Sequence, residues 1–291
     1  MDLTSDQISE LESIGIKAAT RAGEMIQSKL KRNHEVLHKK GENSLASQVV
    51  TTVDLESQHL ILETLDDTFK RFELGLLTEE SPDDSSRHQR DYFWCIDPLD
   101  GTLAYAKGTA GYSVSIALVS RHGKPIIGIV FDPDTSILYH AIDKKGAQKN
   151  GKPWQIPTPT SASELTLMID DSFIARANEP KFRDQLKTFT KQRGLLGTKI
   201  IDHAGAVLNA CWVVDHAPSL YFKFPKLNHG GGSAWDFAAT TCLFTELGLP
   251  SCDIHGDPLL LNPIGKTYMN RKGVLFASSS SLANAAIDFF Q

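Results

Sequence analysis

The stretch Phe93-Trp94-Cys95-Ile96-Asp97-Pro98-Leu99-Asp100-Gly101-Thr102 gathers residues that can do chemistry. An apolar run stops at two carboxylates three residues apart, and Gly-Thr follows. The run reads as a buried strand, which sets Asp97 and Asp100 at its mouth, where the chain turns. Two acids on one tight turn repel each other unless a cation lies between them. Hard divalent ions such as Mg²⁺ take oxygen ligands of this kind and keep waters for chemistry. Gly101 lets the backbone approach an anion, and the N–H groups of Gly101 and Thr102 are close by. A metal beside an anion cradle points to phosphate chemistry.

Further acids stand at the ends of apolar elements: Asp54, Glu79 with Glu80, and Asp236. That is where open α/β sheets project their ligand groups. Singly, each has a plain structural reading. Thr51-x-x-Asp54 resembles a capping box. Glu79 and Glu80 suit a solvated loop. Asp236 follows Trp235 in the first turn of a helix, where any carboxylate gains from the helix dipole. The Asp97–Thr102 stretch resists such a reading, because a turn explains its Pro and Gly but not two acids directly after a wholly apolar strand. Two rival motifs fail on spacing. A calcium loop needs D-x-[DN]-x-[DN]-G, and here the acids are three apart with Gly after the second. Phosphatases of the haloacid-dehalogenase type place a nucleophilic Asp two residues before a second Asp, and Pro98 stands there.

The elements that must position these groups follow from periodicity. Ile8, Leu11, Ile14, Ala18, Ala22 and Leu30 recur at three- and four-residue steps and predict an amphipathic helix over most of the first thirty residues. A polar loop through Asn43 follows, then an extended Val49–Thr52 and a second amphipathic helix carrying Leu55, Leu62, Leu65 and Phe69. Leu74 to Leu77 is a short apolar run. Strands are expected at 93–97, 112–119, 126–132 and 136–142, the last two joined at Asp132-Pro-Asp-Thr135. Gly146, Gly151, Pro153, Pro157 and Pro159 mark a boundary, dividing the chain into 1–155 and 156–291. Beyond it come a strand at Leu165–Ile169, helices at 180–190, 204–214, 234–247 and 281–290, and strands at Leu220–Phe224 and Val274–Ala277. Gly248 closes the 234–247 helix. Nothing in 160–200 carries readable chemistry, and His229-Gly-Gly-Gly232 looks like a flexible insert. Alternation of this kind implies α/β layering.

Composition narrows the class. The chain has 291 residues, 41% hydrophobic and 22% charged, as in an ordinary globular protein of one large or two smaller domains. A formal net charge of −5 argues against a nucleic-acid polymer as partner. Cys95, Cys211, Cys242 and Cys252 form no C-x-x-C pair, so buried free thiols in a reducing compartment are expected rather than disulfides or zinc. The polar MDLTSDQISE start is unlike a secretory leader, and no apolar stretch nears the roughly 20 residues that span a bilayer. A cytoplasmic protein without a membrane partner is the expectation.

Taken together, Glu79-Glu80-Ser81, Asp97-Pro98-Leu99-Asp100-Gly101-Thr102 and Trp235-Asp236 before Ala238-Ala239 resemble the signature set of the inositol monophosphatase superfamily. The likeness extends to Asp54 and to Asp253-Ile-His-Gly, and so covers nearly the whole chain. It implies an α+β, layered αβαβα sandwich and a Mg²⁺-dependent phosphomonoesterase with two or three ions, sensitive to Li⁺. By resemblance, Glu79, Asp97 and the backbone carbonyl of Leu99 hold one ion, and Asp97, Asp100 and Asp236 the second. Asp54, Thr102 and Glu79 take catalytic roles, Thr102 with Asp54 orienting and deprotonating a metal-bound water. Gly101, Thr102 and Asp236 meet the substrate, and Glu80 stands behind them. A small phosphate ester is the implied partner, and a homodimer the implied assembly.

Leu99, the segment Asp253–Leu259 and Met269–Leu275 resemble the 3′(2′),5′-bisphosphate nucleotidase branch, whose substrate is adenosine 3′,5′-bisphosphate. Asn209, where bacterial nucleotidases usually carry Lys, resembles the inositol-phosphatase branch instead. An inositol-1-phosphate or broad sugar-phosphate phosphatase is the runner-up. A metal- and phosphate-binding module without turnover is the remote alternative. Lys223, Lys226, Arg271 and Lys272 are the cations available to a second phosphate. His203, His216, His229 and His255 read as structural or surface groups, and the Lys39-Lys40 and Lys144-Lys145 pairs as solvated charge.

Overall fold

A computed structural model describes residues 2–30, 36–38, 49–160, 163–228 and 230–290. Helix α1 (Ser5–Leu30) leads to a two-stranded pairing of β1 (Val36–His38) with β2 (Val49–Thr51), and α2 (Thr52–Arg71) starts directly after it. Next come β3 (Gly75–Thr78), the short α3 (Ser86–Gln89), β4 (Tyr92–Asp100), α4 (Thr102–Lys107), β5 (Ser113–Ser120), β6 (Pro125–Asp132), β7 (Ile137–Ile142), β8 (Ala147–Lys149) and β9 (Lys152–Pro153). Strands β3 to β9 form one seven-stranded sheet in sequence order. Its first pair is parallel and the rest are antiparallel.

Both faces of this sheet are buried, which is why β4 reads as a continuous apolar run. Trp94 and Ile96 point toward α1 and α2, where Leu11, Ala18, Ile61 and Leu65 meet them. Phe93 and Cys95 point the opposite way. The two-residue period of a strand divides one run between two cores.

The second half contributes β10 (Leu165–Met168), α5 (Asp171–Ala177), α6 (Pro180–Gln192), β11 (Thr198–Ile201), α7 (Ala206–Asp215), β12 (Ser219–Lys223), α8 (Ala234–Glu246), β13 (Ser251–Cys252), β14 (Val274–Ala277) and α9 (Ser280–Phe290). Its five-stranded sheet runs β11-β10-β12-β14-β13. Helices α7 and α8 lie between the two sheets, so Ala239 and Leu243 share a core with Cys95 and Ala117 on one side and with Tyr221 and Phe276 on the other. The far face of the second sheet packs Leu167, Leu220 and Leu275 against Phe182 of α6 and Leu282 of α9. The layers therefore run αβαβα.

The expected strand at 93–97 continues to Asp100. Asp97 pairs with Ser115 and Asp100 with Ser113 across a register shift, so a bulge at Pro98-Leu99 separates the two acids inside the strand rather than after it. Asp132 makes the expected turn, its Oδ1 accepting from the N–H of Asp134 at 3.0 Å and of Thr135 at 3.3 Å. Helices α4 and α5 and strand β11 escaped the sequence reading. The four cysteines are buried and free. Within the loop expected through Asn43, Val36–His38 instead form β1, paired with β2; the rest of that loop, with the Lys39-Lys40 pair, lies outside the described residues. Among the described residues, no helix is long and apolar enough to cross a membrane.

Trp94 is fully buried, and its Nε1 donates to Thr68 Oγ1 at 3.0 Å. Trp94→Ala empties the centre of the first core and removes one donor to Thr68 Oγ1, whose hydroxyl still donates to the Leu65 carbonyl at 2.6 Å. The expected loss of unfolding free energy, read by urea denaturation, is about 3–5 kcal/mol. A loss below about 1 kcal/mol would contradict this packing.

Candidate active site

The site forms where β4 ends between two helix N-termini from the second half of the chain. Asp100 Oδ1 accepts from the N–H of Ala206 at 3.1 Å, and Oδ2 from the N–H of Val207 at 2.9 Å. Its carboxylate thus satisfies the free donors at the start of α7, over a hundred residues away in sequence. Gly205 is required for this approach: a Cβ there would lie 2.2 Å from Asp100 Oδ2. Gly101 is as constrained, with φ +80° and a would-be Cβ 2.4 Å from the Gly111 carbonyl. Asp236 lies in the first turn of α8, and its Oδ2 accepts from the N–H of Ser233.

Asp97, Asp100 and Asp236 each bring a carboxylate oxygen within 4.8 Å of the other two. Asp97 and Asp100 are 1% and 6% exposed. Leu99 N–H donates to Asp97 Oδ1 at 3.1 Å, which aims that carboxylate back across the bulge. From α2, Ser57 Oγ donates to the Pro98 carbonyl at 2.7 Å and fixes the loop from behind. Gln58 accepts from Thr78 Oγ1 at 2.7 Å and donates to Ser81 Oγ at 2.9 Å, holding both ends of the Glu79-Glu80 segment. Glu79 N–H continues the pairing to the Ile96 carbonyl at 3.3 Å, which sets Glu79 beside the end of β4.

Thr102 opens α4. Its Oγ1 lies 3.2 Å from Asp54 Oδ1 and 3.1 Å from the Leu99 carbonyl oxygen. One hydroxyl proton serves one of these acceptors at a time. Asp54, in the first turn of α2, is 2% exposed, so its carboxylate is tied to Thr102 and not to solvent.

Electrostatics mark the same spot. Burial first, then Glu79, Asp100, Asp236 and Asp54, push the Asp97 carboxyl well above the usual range. Burial and Asp236 push Asp100 up to about 8, against the opposing N–H groups of Val207 and Ala206 and the Lys223 ammonium. Asp236 is also raised, chiefly by burial, with Lys223 and the Ser233 N–H opposing. Protons are what hold such a cluster together without a cation, and a hard divalent ion can replace them. The all-oxygen donor set and its repulsion fit that role.

Asp54, Glu79, Asp97, Leu99, Asp100, Gly101, Thr102 and Asp236 come together at the end of β4. Sequence reasoning missed Gly205, Ala206 and Val207, whose signal was only a glycine before an apolar helix. It also missed the pair Lys223–Asp170, 2.8 Å apart at the end of β12. Of the candidate cations, Lys272 is spent on Asp253 and Asp257, each at 3.0 Å. Asn209 is fully buried and donates to the Ala204 carbonyl at 3.0 Å. The His203 ring lies 5.3 Å from that of Trp212, tilted by 49°, and His216 Nδ1 contacts the Trp212 carbonyl. Lys144 and Lys145 are exposed, and His229 lies outside the described residues.

A carboxyl whose folded pKa stands above its unfolded value binds more protons folded than unfolded. Its contribution favours the fold at low pH and is lost as pH rises from about 4 toward 8. In EDTA the melting temperature is therefore expected to fall between pH 5 and 8, and Mg²⁺ to restore most at pH 8. Asp97→Asn removes one repelling charge, so in EDTA at pH 8 it is expected to melt above wild type while gaining less from Mg²⁺. A variant that melts below wild type in EDTA and gains equally from Mg²⁺ would contradict this. Differential scanning fluorimetry decides it.

The family model described as inositol monophosphatase family matches residues 7–289. "Nus factor SuhB" of Pasteurella multocida is 28% identical over 252 residues, 84% of this chain and 85% of its own length. "Inositol monophosphatase 1" of Solanum lycopersicum is 28% identical over 291 residues, 98% of this chain and 96% of its own. "3′(2′),5′-bisphosphate nucleotidase CysQ" of Salmonella typhimurium is 30% identical over 217 residues, 74% of this chain and 80% of its own. In fold, the extragenic suppressor protein suhB from Bartonella henselae superposes with TM-score 0.72 at 20% identity, over 97% of this chain and 98% of that one. Staphylococcal inositol monophosphatase-1, solved as a LiCl-soaked inhibitory complex, gives TM-score 0.73 at 19% identity, over 99% and 96%. With its acid cluster, its layers and this full-length match, the chain belongs to the inositol monophosphatase family of metal-dependent phosphatases.

Proposed function

We propose that the chain is a Mg²⁺-dependent 3′(2′),5′-bisphosphate nucleotidase, converting adenosine 3′,5′-bisphosphate to AMP and phosphate. The observation that carries hydrolysis by water is the Thr102–Asp54 pair at 3.2 Å beside the three-acid cluster. Asp97, Asp100 and Asp236, with Glu79 and the Leu99 carbonyl, are the groups that would hold two or three Mg²⁺. Such ions lower the pKa of the attacking water and stabilise the leaving oxygen. Thr102 Oγ1 would orient the water and accept a proton from it while passing its own proton to Asp54, so that the carboxylate ends as the proton's holder. The N–H groups of Gly101 and Thr102 take the phosphate oxygens. The water oxygen bonds to phosphorus, the ester P–O bond breaks, and the leaving oxygen takes up a proton.

Leu99 and the Asp253–Leu259 segment support the nucleotide branch. The one residue that argued against it, Asn209, spends its amide on the carbonyls of Ala204 and Ile169 and so serves the loop before α7. The inositol-1-phosphate reading rests on the tomato relative, whose match spans 98% of this chain. A cytoplasmic homodimer inhibited by Li⁺ goes with either reading.

Thr102→Ala is expected to lower kcat by about 10²–10⁴-fold, the usual share of a positioned proton acceptor, with the Mg²⁺ gain in melting temperature intact. Retained kcat would remove Thr102 from the mechanism. Phosphate release with Mg²⁺, with and without Li⁺, tests the substrate at equal concentrations of adenosine 3′,5′-bisphosphate and inositol 1-phosphate. A preference for the nucleotide of about 100-fold in kcat/KM, or about 2.7 kcal/mol of transition-state binding, is expected. Preference for inositol 1-phosphate would move the assignment to the runner-up. Release from no phosphate ester would leave only the non-catalytic module.

A further inference from the structure

Lys223 ends β12 and Lys226 follows it by three residues, but the two differ in their counter-charges. Lys223 Nζ is 2.8 Å from Asp170 Oδ2, and Ser172 donates to the other oxygen of that carboxylate at 2.6 Å. That ammonium is neutralised. Lys226 is held by its backbone: its N–H donates to the Asn270 carbonyl at 2.8 Å, and its carbonyl accepts from Asn270 Nδ2 at 3.2 Å. Among the described residues, no carboxylate comes within ion-pair distance of its ammonium. The side chain is half-buried. Burial and the neighbouring Lys223 hold it below the usual lysine range, and only Asp170, already engaged, opposes them. Lys223 also stands beside Asp236 and Asp100, whereas only Asp170 acts on Lys226, so the Lys226 ammonium is the less compensated of the two and is partly out of water, where an arriving anion gains most.

The same segment ties Lys226 to the acid cluster. Gly231 and Gly232 have φ of +88° and +84°. A Cβ on Gly231 would lie 3.4 Å from Lys226 Cε, and one on Gly232 would lie 3.3 Å from Asp236 Oδ2. Adjacent Cα atoms are spaced by about 3.8 Å, so the Lys226 stem and the Asp236 carboxylate lie within about 14 Å of each other. One small molecule carrying two anionic groups can reach both.

We propose that Lys226 receives a second phosphate of the substrate, remote from the one being cleaved, and so selects bisphosphates over monophosphates. The inference rests on the phosphatase site proposed above, but not on the nucleoside. Wild type, Lys226→Ala and Lys226→Arg are compared with Mg²⁺ on two pairs: adenosine 3′,5′-bisphosphate with adenosine 3′-monophosphate, and inositol 1,4-bisphosphate with inositol 1-phosphate. Wild type is expected to prefer the bisphosphate of the pair it cleaves. Lys226→Ala is expected to cut that preference at least tenfold through KM with kcat kept, and Lys226→Arg to retain most of it. For a nucleotide enzyme, the inhibition constant of adenosine 5′-monophosphate rises by a similar factor in Lys226→Ala. Turnover of the inositol pair alone would remove the nucleotidase reading and leave Lys226 to be judged on that pair. An unchanged preference in Lys226→Ala, an equal loss on both members of a pair, or no bisphosphate preference in wild type would each overturn the role of Lys226.

Discussion

Repulsion among buried carboxylates is the constraint around which this molecule is built. Asp97, Asp100 and Asp236 come within 4.8 Å of each other, the first two buried and the third half-buried. Nothing in hydrophobic packing would choose that arrangement, because burying an uncompensated charge is among the costliest acts in folding. The fold answers with directed donors. The start of α7 grips Asp100 with two N–H groups, and the start of α8 holds Asp236. Lys223 adds a cation nearby. What these leave uncompensated is the binding energy available to a divalent ion.

The layers follow from the same requirement. Asp97 and Asp100 come from the first sheet, whereas the helices that meet them come from the second half of the chain. Only a fold that seats α7 and α8 between two sheets brings both helix starts to the end of β4. The shared core around Cys95, Ala239 and Phe276 joins the halves by packing alone. The Asp100 carboxylate joins them by hydrogen bonds at the point of chemistry. Residues that touch no ion or substrate, such as Ser57, Gln58 and Gly205, keep the acids at their separations.

Much of this was legible in the residues. The buried strand ending in Asp97 and Asp100 betrayed itself through an apolar run followed by acids, and the long α1 and α2 through their periodicity, although Leu55, expected on the apolar face of α2, is 46% exposed and the buried face turns toward Asp54, Ser57 and Ile61. Clustering of Asp54, Glu79 and Asp236 about that strand was readable only as a set, since each alone looks like a cap or a solvated charge. The bulge at Pro98-Leu99 was not legible, because it depends on pairing with β5. Neither was the grip of α7 on Asp100, since backbone N–H groups carry no side-chain signature. Strand β11 at the sheet edge is half-exposed and too short for its pattern to stand out. Lys223 and Lys272 looked equivalent in sequence, and only the folded chain commits one to the cleft and the other to Asp253 and Asp257.

A crystal grown with Mn²⁺ in place of Mg²⁺, with anomalous diffraction collected at the manganese edge, tests the central claim most directly. The expected result is anomalous density between Asp97, Asp100 and Asp236, with a second ion between Asp97, Glu79 and the Leu99 carbonyl. Density elsewhere on the chain, with none in this cleft while Mn²⁺ supports phosphate release, would contradict the account.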